Sequence, residues 1–436
     1  MGPFDTTNEE PGNRHETHSG SNADILAAMQ EENRPLEGMF DPDRHEPLTA
    51  RPWNEDEVRR EISFIAQEAQ AAFEGNDLWP THPLDEPPDP QTRYSMLYMG
   101  AGGVIWGLRR LADRGFTGHD ARLEAIVPTL VSRNREVGET QFGAASFLMG
   151  DSGLLLLDWQ TSRSRATEQA LFDAVRSNLR HPTREMLWGS PGTLVVALHM
   201  AAATQDARWK SVIREGAEIL LDEMEYDEAL GAWIWRQDMY GKVRCFIGAG
   251  HGFAGNVYPI LRASHYLQAS LVQEFVDRSW ATLNALAIRA EGCANWHAFH
   301  DPVLMQGRPP LVQDCHGAPG IVVRLASVPR TEQWDRLLDE AGMLTWRAGP
   351  MRKGASLCHG TAGNGYAFLK LWERTGDERW LARARAFAMH SIEQVHAQRR
   401  QQGRGRFSLW TGDIGTALYL ADCLTGRSDF PTLDYF

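Results

Sequence analysis

The chain has 436 residues, 42% hydrophobic and 23% charged, proportions of a globular protein that exclude a chain disordered, collagen-like or coiled-coil throughout. Its longest apolar stretch, residues 193–203, is about half of the ~20 residues a membrane helix needs, so stable membrane insertion is not expected. A formal net charge of −13 argues against nucleic acid as a partner, and five cysteines, an odd number, make no disulfide framework and point to a reducing cytoplasm.

Residues 1–50 are polar, with few apolar positions, and read as a flexible tail holding one short helix at Ala23–Gln30. A single domain is expected over 51–436. Its first helix begins after Asn54, with Glu57 three residues on and Val58, Ile62, Ile65, Ala69 and Phe73 at helical spacing. Pro80, Pro83, Pro87, Pro88 and Pro90 then exclude a helix.

Beyond the prolines one phrase returns seven times: Gly-x-x-Gly followed by an apolar helix. The copies start at Gly100, Gly150, Gly189, Gly252, Gly317, Gly360 and Gly412, spaced to leave room for two helices and two loops each. The helix after each motif is apolar nearly all round, as in Ile321, Val322, Val323 and Leu325, and so is buried on every side. The helix before each motif is amphipathic: Trp334, Leu337, Leu338, Ala341 and Leu344 share a face. Seven such pairs predict an all-α fold, a seven-fold α/α-toroid of seven inner and seven outer helices, with every glycine motif at one rim. No Asn-Gly hairpin flanked by alternating residues is found, so strands are not expected.

Two motifs carry chemistry. One reads Asp314-Cys315-His316-Gly317, the other Leu357-Cys358-His359-Gly360. If these repeats are neighbours, two thiolates and one or two imidazoles meet at the rim, a zinc donor set. Three protein ligands leave a position open for catalysis, four with His316 close a structural site, and none leaves two core cysteines. His251 holds the equivalent slot without a cysteine and suits a general acid or base. Glu185, just before the third motif, reads as a cap or a solvated charge. Arg352 and Lys353 suit a substrate carboxylate beside the rim, or are a solvated basic pair. Cys293, His297 and His300 form a weaker second cluster, and Cys245 and Cys423 read as small core residues.

From Tyr94 to the end the chain resembles the lanthionine synthetase C-like family, through Gly248-Ala-Gly-His-Gly, Asp314-Cys-His-Gly-Ala-Pro-Gly, Arg352-Lys-Gly-Ala-Ser-Leu-Cys-His-Gly-Thr-Ala-Gly and Phe407-Ser-Leu-Trp-Thr-Gly-Asp-Ile-Gly-Thr. The resemblance implies a seven-fold α/α-barrel, Zn²⁺ held by Cys315, Cys358 and His359, His251 as acid/base, and Glu185 in the family's acidic slot. His316, where peptide cyclases often have an aromatic residue, resembles the stand-alone branch associated with adding glutathione to dehydroalanine and dehydrobutyrine. Lys353 matches a lysine that contacts glutathione there, with Arg352 and His316 expected on the substrate side. Asp314 departs from the family's usual Trp. The implied function is zinc-dependent addition of a thiol, glutathione or a peptide cysteine, to a dehydrated peptide or protein, forming a thioether. A non-catalytic glutathione- or peptide-binding scaffold is the alternative. A glycosidase-like barrel, a third reading, needs two opposed carboxylates where this rim offers Cys and His.

Overall fold

A computed structural model describes residues 36–137, 143–239 and 241–436; the helix expected at Ala23–Gln30 lies outside them. The first glycine of each of the seven motifs is the N-cap of an inner helix: Ala101–Asp113, Asp151–Ser162, Ser190–Thr204, Phe253–Arg262, Ala318–Leu325, Thr361–Thr375 and Asp413–Thr425. The last glycine of each motif lies against the carbonyl of the residue six positions earlier. A Cβ on Gly320 would stand 1.8 Å from the Asp314 oxygen, and one on Gly363 1.7 Å from that of Leu357. Any side chain there would push the motif loop off its helix, which is why the glycine recurs.

Each inner helix packs against the next, and the last, Asp413–Thr425, packs against the first, Ala101–Asp113, closing the ring. Outside it run Glu55–Ala71, Arg165–Asn178, Ala207–Asp222, Ala269–Leu286, Glu332–Ala348 and Glu378–Gln402. The remaining outer position is split into Ala121–Ile126 and Leu130–Val137 by a 3-10 turn containing Pro128. Side-chain oxygens of Asn54, Ser164, Asp206, Thr331 and Asp377 cap five outer helices. Glu55–Ala71, first in sequence, packs on the last inner helix, so the chain meets itself. Burial drives the layering: Val58, Ile62, Ile65 and Ala69 are fully buried beneath it. No helix among the described residues is long and apolar enough to cross a membrane.

Two expectations need correction. Strands are present: β1 Glu225–Asp227 pairs antiparallel with β2 Ala232–Ile234, β3 Gln237–Met239 with β4 Lys242–Phe246, β4 with β7 Phe299–His300, and β5 Ile288–Ala290 with β6 Cys293–Asn295. Ladders of two or three residue pairs are too short to show alternation, and the hairpin turns use Gly231, Gly241 and Gly292 at positive φ rather than Asn-Gly. Residues 36–50, assigned to the tail on composition, are packed on the domain. Leu36, Met39, Phe40 and His45 are buried, and His45 forms a bridge with Met351. Four anchors scattered among polar residues carry no periodicity, so composition hides them.

Candidate metal centre

Six of the seven residues that stand two positions before a first glycine are strung together at one rim by backbone hydrogen bonds. Gly250 N–H donates to Cys315 O (3.0 Å), Cys315 to Cys358 (3.1 Å), Cys358 to Trp410 (2.9 Å), Trp410 to Tyr98 (3.0 Å) and Tyr98 to Leu148 (3.0 Å). The two cysteines of distant sequence thus become neighbours through the main chain itself. Gly248 and Gly250 are glycines because the first cysteine loop lies on them: a Cβ at 248 would be 2.5 Å from the Cys315 oxygen.

One ligand atom from each of Cys315, Cys358 and His359 lies within 4.8 Å of the other two, and among the described residues this is the group of three able to hold a metal. Tetrahedral zinc, with bonds of ~2.0–2.3 Å, separates its ligand atoms by ~3.5–3.8 Å, so two soft sulfurs and one imidazole at this spacing fit it. A hydrogen bond between the sulfurs pushes the Cys315 thiol well up and the Cys358 thiol well down. Gln313 Nε2 donates to Cys315 Sγ at 3.0 Å.

His316 is outside the metal group. Its ring stacks on Phe246 (6.2 Å between centroids) and stands 5.6 Å from that of His251. Burial, with His251 and His359 nearby, pushes its pKa to about 3, and Nδ1 has no hydrogen-bond partner. The neutral ring therefore forms a wall of the site. His251 Nδ1 is 2.8 Å from Glu185 Oε2. Burial alone would lower the His251 pKa; the hydrogen bond and charge of Glu185 outweigh it and raise it. Glu185 is completely buried and also accepts the N–H groups of Leu187 (2.9 Å), Trp188 and Gly189 (3.3 Å). It is both cap of the third motif and partner of His251, two roles that its position alone did not separate.

Arg352 and Lys353 are exposed on the loop leading to Cys358. Arg352 is tied to residues 44–45: its N–H donates to Arg44 O and Nη2 to His45 O, both at 3.0 Å. Glu46 N–H donates to Pro350 O, and the Glu46 carboxylate accepts from His390 and Gln394. Asp314 turns away from the metal group into a bidentate pair with Arg324 (2.8 and 3.2 Å), both nearly fully buried. The Cys293, His297, His300 cluster does not assemble: Cys293 is buried beside Arg347, and His300 is exposed on β7 opposite Cys245. Sequence reasoning missed Gln313, which lies two residues before Cys315 and carries no motif of its own.

A profile of the lanthionine synthetase C-like protein family matches residues 89–434. The chain is 30% identical over 227 residues to glutathione S-transferase LANCL1 of Danio rerio, covering 51% of this chain and 53% of that protein. It is 33% identical over 196 residues to LanC-like protein GCL1 of Arabidopsis thaliana, covering 43% and 42%. The chain thus spans about half the length of the curated relatives it matches. The structure of nisin cyclase superposes with a TM-score of 0.57 at 15% identity, covering 87% of this chain and 99% of that one, a likeness of fold.

Proposed function

The chain belongs to the lanthionine synthetase C-like family, and from that premise we propose that it catalyses zinc-dependent addition of a thiol to dehydroalanine or dehydrobutyrine residues of a peptide or protein, forming a thioether. The observation that carries the reading is the convergence of Cys315, Cys358 and His359 with the His251–Glu185 pair on one rim. Glutathione is the thiol we favour, supported by the relative named a glutathione S-transferase and by His316 in place of an aromatic residue. The five cysteines are all unpaired, which supports a reducing, cytoplasmic setting.

Cys315, Cys358 and His359 would hold the zinc, which when bound supplies a lowered thiol pKa and so a thiolate at neutral pH. Three protein ligands leave room for the substrate sulfur, the open pattern of catalytic sites. The thiolate attacks the β-carbon, a C–S bond forms, and the electron pair of the C=C bond moves to the amide as an enolate. His251, its Nδ1 held by Glu185, presents Nε2 as the acid that protonates the α-carbon. The proton lost by the thiol is thereby returned to the product. Lys353 would pair with a carboxylate of the thiol, and the neutral His316 ring and Phe246 wall the pocket against water.

The test is incubation of zinc-loaded protein with a dehydroalanine peptide and glutathione, followed by mass spectrometry. A mass gain of one glutathione is expected. Cyclisation of a peptide carrying its own cysteine, without that gain, would assign the thiol to the peptide. Binding of glutathione with no product in either assay would leave the scaffold reading.

A further inference from the structure

Addition at this rim, as proposed above, asks three sulfurs around one metal to behave differently. The substrate sulfur must react, while Cys315 and Cys358 must bind and remain inert toward the same electrophile. Metal identity cannot make that distinction, because all three sulfurs share the metal. Their surroundings can.

Gln313 and Cys315 belong to one tight turn, closed by Gln313 N–H to His316 O (3.1 Å) and His316 N–H to Gln313 O (3.0 Å). The half-buried Gln313 side chain folds back over this turn, with Nε2 3.0 Å from Cys315 Sγ. Cys315 Sγ therefore has a fixed neutral donor on a rigid turn.

We propose that Gln313 is a positioning residue that donates a hydrogen bond to Cys315 Sγ and so suppresses its nucleophilicity relative to a substrate thiolate at the same metal. A hydrogen bond to a charged acceptor stabilises the lone pair that would otherwise attack. Outer donors of this kind also orient the ligands. The inference rests on the proposed reaction for its purpose, and on the Gln313–Cys315 contact for its substance.

Alkylation of the metal-loaded protein by iodoacetamide, mapped by peptide mass spectrometry, tests it without any turnover. Gln313→Met keeps the shape and removes the donor; it should raise the alkylation rate of Cys315 by roughly tenfold and leave Cys358 unchanged. Cys245, Cys293 and Cys423 are buried elsewhere and serve as an internal control: a loosened fold would label them too. In cobalt-substituted protein, the Gln313 variant should shift the sulfur-to-metal charge-transfer band to the red, as expected of a more electron-rich thiolate. Unchanged alkylation rates, or equal acceleration at both ligand cysteines, would overturn the inference. Wild-type protein that adds no thiol yet shows these site-specific rates would defeat the proposed reaction and leave the donor role intact. Protein that bound neither zinc nor cobalt would overturn both.

Discussion

Nδ1 of His251 lies 2.8 Å from Oε2 of Glu185, a carboxylate with no solvent exposure that is separated from it by 66 residues of chain. The pairing fixes which ring nitrogen faces the carboxylate and leaves Nε2 for substrate. It also raises the histidine pKa against the effect of burial. The raised value means the pair's contribution is present below the ordinary histidine pKa and is lost as pH rises through the raised one. His251→Ala should keep zinc and thiol affinity while turnover falls by ~10²–10⁴-fold, the range for a lost general acid. Glu185→Gln should lower turnover less and move the basic limb of the pH–rate profile to lower pH. An unmoved limb in the Gln variant would show that Glu185 only caps its motif.

Metal content is the second expectation. Purified protein should hold about one zinc per chain, and Cys358→Ala should lose most of it, since two remaining ligands bind far more weakly. His316→Ala should keep its zinc, because that ring stacks on Phe246 outside the ligand group. Zinc loss in the His316 variant would revive a closed four-ligand site. Cys293→Ser should leave metal content unchanged.

Arg352 and Lys353, adjacent in sequence, should separate in function. Lys353→Ala should weaken glutathione binding by about 1.5–3 kcal/mol, the range for a hydrogen bond to a charged group, with zinc content and saturated turnover kept. Arg352→Ala should instead loosen residues 44–46, because its guanidinium donates to the His45 carbonyl. Its signature should be a lower melting temperature and faster amide exchange in residues 349–354. Equal effects of the two variants on glutathione affinity, by calorimetry, would contradict this division.

Seven glycine pairs made the ring legible because each encodes a close approach that no other residue tolerates, whatever the neighbouring helices contain. The ligand cysteines were legible because they occupy the same place in two of those repeats. The short strands were not, since three-residue ladders such as Glu225–Asp227 with Ala232–Ile234 leave no period to read. The two roles of Glu185, as motif cap and as partner of His251, appear only after the third and fourth motifs are set side by side. Gln313 is read as a donor only once a tight turn brings it to sulfur.

Asp314 stands where the family usually has Trp, and its direction decides what it does. The carboxylate points to Arg324 on the following inner helix, not to the metal group, and the two are about 1% and 2% exposed. Arg324 in turn lies over Phe430, 4.9 Å from its ring centroid. An ion pair so desolvated gains little over apolar packing, yet losing one partner strands the other charge. Asp314→Ala should therefore destabilise the protein by about 3–5 kcal/mol in denaturant unfolding, while Asp314→Leu with Arg324→Met should recover most of that loss. The same pair offers a way to ask whether Asp314 also serves the metal. If its role is to hold the fold, the apolar double variant should bind zinc as tightly as wild type in a chelator competition. If the carboxylate orients the turn carrying Cys315, zinc affinity should stay roughly tenfold weaker after stability has returned. The geometry favours the first outcome, because the turn is already closed by Gln313 and His316 backbone hydrogen bonds and by the Cys315 N–H on the Cys358 carbonyl, none of which involves the Asp314 side chain.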